Sequence, residues 1–541
     1  MVVALTLSTV GATASHVSTE PAPRNLLFEE FTGIHCSYCP QGHAKARMLQ
    51  LTYPGRVYAA NIHTGSFATP GSGELDFRLS EGAEICGMFG IQAFPGGVMN
   101  RTDVDGRKDL YINTFMTGAN QVLAETDPAA VNLWAECSYD GATRSLTVNA
   151  EAYFLADVSD ARMVVYLLQN DITGTQTGAP NVTAYQHQHA LRAVPTGVDG
   201  EALTGTTAGA TLEKTFTYSV PEDIKGIAVD PSDLEVLVFV TGNPGAEVLN
   251  VTGCFPAYTN FEPANTATFT APIVEMDTNW ACDYYEGYLD NKTNEAITSA
   301  TFLVTHKTNT ATAEWSGEVP AHTSQLVRVP IPSEIAFTGK YTRSLYKVEL
   351  QQTNGVDVEN PTRISGNIST PKQFTSPLNI RISTDANPAQ DSYRLVAADG
   401  TLVAEFGPYE ARQTVTETVD LAPGRYSFEV FDKGGDAITS TTPVEFLDAD
   451  FSSLAVLTSG KGLDSFGGRQ GFSIAATESV DSVTAEPALT LNGNLLTCPG
   501  TEIALYRMDG TLVACGRDTL AVPARGAYVA VAGSRTLKVM R

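Results

Sequence analysis

Two cysteines at C-x-x-C spacing, Cys36 and Cys39, sit in the stretch Phe28-Glu-Glu-Phe-Thr-Gly-Ile-His-Cys-Ser-Tyr-Cys-Pro40. Such a pair can close a disulfide and pass it on. The chemistry needs the first sulfur held as thiolate and the second within reach of a mixed disulfide formed on the first. The flanking residues predict that positioning. Asn25–Phe31 reads as a short buried strand, and Gln41–Leu51 reads as a helix with Ala44, Met48 and Leu51 on its apolar side. Cys36 is then expected at a helix N-terminus, where unpaired N–H groups favour thiolate, with Cys39 one turn further in. Glu30 lies on the strand leading to the pair, and Pro95 precedes a second short strand, placed to be a cis-proline facing the thiols.

Strand, C-x-x-C, helix, strand at Arg56–Ile62, a helical stretch and Gly90-Ile-x-x-x-Pro95 together resemble a thioredoxin-fold domain. The resemblance implies a role for each residue. Cys36 is the nucleophile, Cys39 the resolving thiol and Glu30 the buried carboxylate that relays the proton of Cys39. Pro95 lies beside the substrate groove, with Phe94, His35 and Tyr38 as substrate-binding neighbours. Thr32, Gly33, Ile34 and His35 replace the family's usual aromatic flank, which leaves redox potential and partner open. A metal-chaperone reading would use Cys36 and Cys39 with His35, His43 or His63 for Cu(I) or Zn²⁺.

The elements that carry this site belong to a long, acidic chain. Its 541 residues exceed one core, and a net charge of −26 argues against nucleic acid and anionic membrane surfaces as partners. No apolar run is long enough to span a bilayer. Val2–Ala14 resembles the apolar core and A-x-A end of a secretory signal, without a basic start, so the chain is read as exported. Eight cysteines fit that location. Cys137 and Cys254 bracket one module, Cys498 and Cys515 share the last, and Cys86 and Cys282 stand apart.

Nearly all the helical signal lies in residues 24–127, following an expected leader and linker over 1–23. The Gly/Ser/Pro-rich segment Thr64–Ser80 is expected as a loop over the active face, and Gly106–Glu125 as a closing helix burying Leu110, Phe115, Val122 and Leu123. Beyond Asp127-Pro128 the chain alternates short strands and turns, the pattern of all-β sandwiches of immunoglobulin-like or jelly-roll type. They are expected at 128–262, 263–372 and 373–475, with a small module at 476–541. The fold class is therefore multidomain, an α/β thioredoxin-like domain followed by β-sandwiches.

Within the first sandwich, Tyr185-Gln-His-Gln-His-Ala-Leu-Arg192 puts His187 and His189 on one face of a strand, able to share a metal or carboxylate, or to form a polar patch at a strand end. F-T-G-x-x-C-x-x-C-P followed by Y-x-H-x-H-x-x-R resembles the Omp-type surface proteins of Bacteroidota, the twenty-eight-kilodalton class, over residues 24–262. That resemblance implies an outer-membrane or extracellular location. In the third sandwich Asp385, Asp432 and Asp436 are candidate Ca²⁺ ligands on turns, against a plain Gly-rich hairpin; no other metal or cofactor is expected. The tail, with Ile503-Ala-Leu-Tyr-Arg-Met-Asp-Gly510, Arg525-Gly-Ala-Tyr-Val-Ala-Val531 and Leu537–Arg541, resembles the C-terminal sorting domain of the type IX secretion system, whose machinery would be a partner.

No G-x-S-x-G or H-E-x-x-H motif supports a hydrolase. Two principal functions remain. One is thiol–disulfide exchange with protein thiols or disulfides outside the cytoplasm. The other is a surface binding or adhesion protein, in which Cys36–Cys39 is a fixed disulfide and the β-modules meet a surface ligand.

Overall fold

The structure is a computed structural model describing residues 15–242, 247–272, 275–276, 284–336, 344–368, 371–439, 442–457, 466–475, 488–533 and 535–541. The expected export signal over 2–14 and Cys282 lie outside these residues. The chain divides into two compact units, Met1–Ala475 and Ala476–Arg541.

The first unit opens with β1 (Leu26–Thr32), α1 (Cys39–Thr52), β2 (Val57–His63), α2 (Ser80–Phe89), β3 (Gly96–Met99), β4 (Leu110–Tyr111) and α3 (Phe115–Leu123). β1 pairs parallel with β2 and antiparallel with β3, and β3 pairs antiparallel with β4. Strand alternation splits β1 between two cores. Leu26 and Phe28 pack with α1 and α3, whereas Leu27 and Phe31 pack on the other face with Ile85 of α2.

α1 begins at Cys39, not at Cys36, with Pro40 in its first turn. Proline suits that turn because its missing N–H would be unpaired there anyway. The residues before it form turns, with Cys36 N donating to Gly33 O at 3.0 Å. The buried positions of α1 also differ from the expected stripe: Gly42, Lys45, Ala46, Met48 and Leu49 are buried, while Ala44 and Leu51 are only half-buried. The helix is covered on two sides. Opposite the sheet, Lys45 Nζ donates to Gly435 O at 3.0 Å and lies 5.8 Å from the Phe466 ring centre. The expected closing helix is shorter than Gly106–Glu125, because Asp105 and Gly106 adopt a left-handed turn and Leu110 enters β4. Leu110, Phe115, Val122 and Leu123 are nonetheless buried.

Next come β5 (Val131–Asp140), β6 (Ser145–Phe154), β7 (Arg162–Gln169), β8 (Ile172–Gly174), β9 (Tyr185–His187), β10 (Ala190–Ala193), β11 (Glu201–Ala202), β12 (Thr211–Ser219), β13 (Asp223–Ile224), β14 (Ile227–Ala228), β15 (Leu234–Thr241), β16 (Val248–Cys254) and β17 (Pro256–Thr259). One four-stranded sheet runs β12-β6-β5-β17. Facing it are strands of a nine-stranded sheet, ordered β16-β15-β7-β10-β2-β1-β3-β4 with β11 against β7. That sheet crosses the change of character at Asp127. Its junction is the parallel register of Ala190 with Asn61, supported by Asn61 N donating to His189 O and Asn61 Nδ2 to Gln188 O, both at 2.8 Å.

The shared sheet explains why β7 (RMVVYLLQ) and β15 (LEVLVFVT) are almost continuously apolar: both their faces are covered. Met163, Val165 and Leu167 enter the sandwich core; Val164, Tyr166 and Leu168 enter the core beneath β1 and α2.

Two further β-modules complete the unit. Strands Tyr284–Asp290, Ile297–His306, Asn309–Val319, Ser324–Pro330 and Ser344–Thr353 enclose a core around Phe302 and Tyr346. Strands Leu378–Ser383, Asp391–Ala397, Gly424–Asp432, Val444–Leu447 and Gly467–Ile474 enclose one around Phe428, Phe446 and Phe472. The second unit is a five-stranded sheet with its own core around Leu505 and Ala530. In its last strand, Arg535–Met540, Val539 is buried and Lys538 exposed. Cys498 is buried and Cys515 exposed, and the two cysteines that share this module are not joined as a disulfide.

Candidate functional site: a covered disulfide above a buried carboxyl

Cys36 and Cys39 are joined as a disulfide with Cα atoms 5.4 Å apart. The turn from Gly33 to Tyr38 and the start of α1 position them. The first sulfur of a reactive pair is expected to be open to solvent, but Cys36 is only 2% exposed and Cys39 fully buried.

Two covers account for this. The first is the segment between β8 and β9. Gln176 Nε2 donates to Cys36 O at 3.0 Å and to Gly33 O at 3.3 Å, and Thr177 N donates to Ile34 O at 2.7 Å. Gly178, at φ +86°, lies so close to the Ser37 carbonyl that any Cβ there would clash. The second cover is the Thr64–Ser80 segment, where Phe67 O accepts from His35 N at 2.9 Å.

Against Gly42, near the start of α1, lies Glu30, fully buried, with no hydrogen-bond partner for either carboxylate oxygen. A Cβ on Gly42 would collide with Glu30 Oε1 and reach Pro95 Cβ at 3.0 Å, so β1, α1 and Pro95 converge at this glycine. The Phe94–Pro95 peptide is cis. Burial raises the Glu30 carboxyl well above the usual carboxylate range.

His43 closes the back of the site. Its Nε2 is 3.0 Å from Thr32 Oγ1 and 3.9 Å from Glu30 Oε1, and its Nδ1 is 2.8 Å from Tyr185 Oη. Burial, then His187 and His189, lower its pKa to about 3, so the ring is neutral.

The structure therefore brings Cys36, Cys39, Glu30 and Pro95 together around α1. The expected substrate-binding residues are dispersed around it. Phe94 packs near Phe67, His35 Nε2 pairs with Glu74 at 3.0 Å, and Tyr38 projects outward, 63% exposed.

His187 and His189 do not share a face. His189 has φ +50°, which breaks the strand alternation after β9. His187 is buried against Phe77 and His63, while His189 Nδ1 meets Glu235 Oε2 at 2.7 Å. His35, His43 and His63 are not gathered around the sulfurs. Among the described residues no group of three or more His, Cys, Asp or Glu is arranged to hold a metal ion. The Ca²⁺ candidates organise turns: Asp432 accepts from the N–H groups of Gly434, Gly435 and Asp436, Asp385 from that of Asn387, and Asp436 from Gln390 Nε2.

Sequence reasoning did not single out Gln176 or Tyr185 as site residues. Tyr185 was visible only as the first letter of the Y-x-H-x-H-x-x-R motif, and Gln176 carried no signal.

Residues 84–257 match the family model described as Outer membrane protein Omp28. The matched span begins in α2 and ends in β17, beyond the C-x-x-C, and it supports an outer-membrane or cell-surface location. No curated protein matches the chain. Among solved structures, the chain is similar to HBP35 of Porphyromonas gingivalis, with 17% identity, 65% of this chain and 99% of that one covered, and a TM-score of 0.35. It is also similar to a domain of the outer membrane lipoprotein Omp28 from Porphyromonas gingivalis, with 19% identity, 24% and 91% coverage, and a TM-score of 0.18. Among the described residues no helix is long and apolar enough to cross a membrane.

Proposed function

We propose that this chain is a surface-located thiol–disulfide exchange protein whose N-terminal α/β part is thioredoxin-like. The observation that carries the reading is Glu30. A buried carboxyl without a hydrogen bond costs several kcal/mol if ionised, and a purely structural disulfide gives no reason to keep one beneath it. A resolving cysteine does, because its thiol must lose a proton as it attacks. Cys36 acts as nucleophile, Cys39 as resolving thiol, Glu30 as proton acceptor and cis-Pro95 as the wall of the substrate groove.

Burial of both sulfurs favours a second reading, a binding or adhesion protein with a permanent disulfide. The reduction potential separates the two. A value above about −300 mV, with insulin reduction or reduced-ribonuclease oxidation lost in Cys36→Ser, supports exchange. A much lower potential and no activity in either assay would leave the scaffold reading.

The second unit serves as a type IX sorting signal in this proposal. Its core is its own, so a chain ending at Ala475 is expected to fold and to remain in the periplasm. Surface delivery of that truncated chain would show the tail to be an ordinary β-module.

A further inference from the structure

We propose that His43 and Tyr185 carry the proton of Glu30 to and from solvent, making the β9 segment of the sandwich a working part of the redox site. The inference rests on the exchange reading above and assigns a role to the Y-x-H-x-H motif, which that reading leaves unused.

In the resolving step Glu30, once it has released its own proton, takes the proton of the Cys39 thiol, whose sulfur attacks Cys36 Sγ. The Cys36–Cys39 bond forms, and the bond from Cys36 to the substrate sulfur breaks. That sulfur leaves with the electron pair as a thiolate, so the substrate is reduced and the cysteine pair oxidised. The proton is then on a carboxyl that is fully buried and has no hydrogen-bond partner of its own. It must leave before the next cycle.

A polar route from Glu30 leads to the His43 ring, which lies just beyond hydrogen-bond distance while the cysteines are joined. His43 Nε2 faces Glu30 Oε1 at 3.9 Å, and Thr32 Oγ1, 3.0 Å from the same nitrogen, fixes the ring orientation. His43 Nδ1 meets Tyr185 Oη at 2.8 Å. Tyr185 is half-buried as a residue and leads to the exposed Val182, Thr183 and Ala184, while burial raises its phenol above the usual range, so the hydroxyl stays neutral and can accept one proton while passing on another. A neutral imidazole accepts a proton on one nitrogen while releasing one from the other. The environment keeps it from holding both: burial, His187 and His189 all disfavour the cation. Glu30 on β1, His63 on β2 and His187 and His189 beside β9 are the other titratable groups that face this ring. Tyr185 also packs edge-on against His187 of the same strand, with ring centres 5.1 Å apart, and His187 in turn lies against His63 and Phe77, which docks the segment on the site.

Tyr185→Phe keeps the ring and removes the hydroxyl. The test is a single-turnover measurement of mixed-disulfide resolution by the full chain across mildly acidic to mildly alkaline pH. The expected results are a rate lower by about tenfold, an altered pH profile, partial rescue by added imidazole and a thermal midpoint lowered by no more than the loss of one hydrogen bond explains. In a Glu30→Gln background Tyr185→Phe should have no further effect, as expected of residues acting in one path. His43→Gln should reproduce the loss. A Tyr185→Phe protein with the wild-type pH profile, or one slowed without imidazole rescue and additively with Glu30→Gln, overturns the relay alone. A wild-type chain whose disulfide exchanges with neither dithiothreitol nor a disulfide peptide overturns the relay and the exchange function together.

Discussion

Gln176 Nε2 donates to the backbone carbonyl of Cys36 at 3.0 Å, so a residue of the sandwich module holds the first cysteine of the pair. The same amide reaches Gly33 O, and the neighbouring Thr177 N reaches Ile34 O. The cover is pinned to backbone atoms of the turn that presents the disulfide. Each neutral bond of this kind contributes about 1 kcal/mol, enough to keep the cover shut most of the time and little enough for a substrate to displace it.

Gln176→Ala removes those two side-chain bonds, leaves Thr177 N donating to Ile34 O, and touches neither sulfur. Reduction of Cys36–Cys39 by dithiothreitol should become about threefold to tenfold faster, at a stability cost of about 1 kcal/mol. Stopped-flow thiol release checks it. An unchanged rate would mean that the cover does not limit access.

Glu30→Gln separates chemistry from fold. The amide cannot take the proton of Cys39, so turnover should fall by about a hundredfold. Stability should move the other way. The Glu30 carboxyl is raised well above its ordinary value by burial, so the folded chain holds a proton that the unfolded chain has lost. That term destabilises the fold as pH rises above the unfolded carboxylate value, and glutamine removes it. Denaturant unfolding at alkaline pH should find the variant more stable than the parent. Equal turnover in the two proteins would remove Glu30 from the mechanism.

Much of this was legible in the residues. Ser145–Phe154, Arg162–Gln169 and Leu234–Thr241 are strands, in keeping with the short strands and turns expected beyond Asp127-Pro128. The continuous apolar runs of the latter two also held the information that both faces are covered, although not that β2 lies next in the sheet. Non-local partners were invisible. Lys45 reads as a solvent residue until the turn at Gly435 covers it, and His43 meets Tyr185 across 142 positions. The left-handed backbone at His189 had no sequence signature either, and with it went the shared face of His187 and His189.

Glu29 is next to Glu30 yet has the opposite fate, since strand alternation sends it to the seam with the sandwich. Its carboxylate accepts from Arg101 Nε at 3.0 Å and Nη2 at 2.8 Å, and from Tyr166 Oη at 2.7 Å. All three side chains are fully buried. Arg101→Met strands a charge and should cost about 3–5 kcal/mol, whereas Arg101→Met with Glu29→Gln should recover a large part of it. Equilibrium urea unfolding followed by tryptophan fluorescence measures both. If the double variant were no more stable than the single one, the loss would be one of packing rather than of charge.

Asp391 and Asp432 are direct cross-strand partners in the third β-module. Burial, then the charges of Asp432 and Asp385, push the Asp391 carboxyl up to about 8. Burial and Asp436 push Asp432 up to about 6, against the opposing pull of its backbone N–H donors. In both cases the folded state binds protons that the unfolded state releases near pH 4. Stability must therefore rise as pH falls from about 8 through about 6, with the gain complete at the unfolded carboxylate value. Asp391→Asn should raise the melting temperature of this module at pH 8 and flatten the upper part of the dependence. Calorimetry of the full chain across that range checks both statements. A melting temperature that stays level on acidification, or a variant that keeps the parent's slope, would show that the two carboxyls are relieved by solvent rather than by protonation.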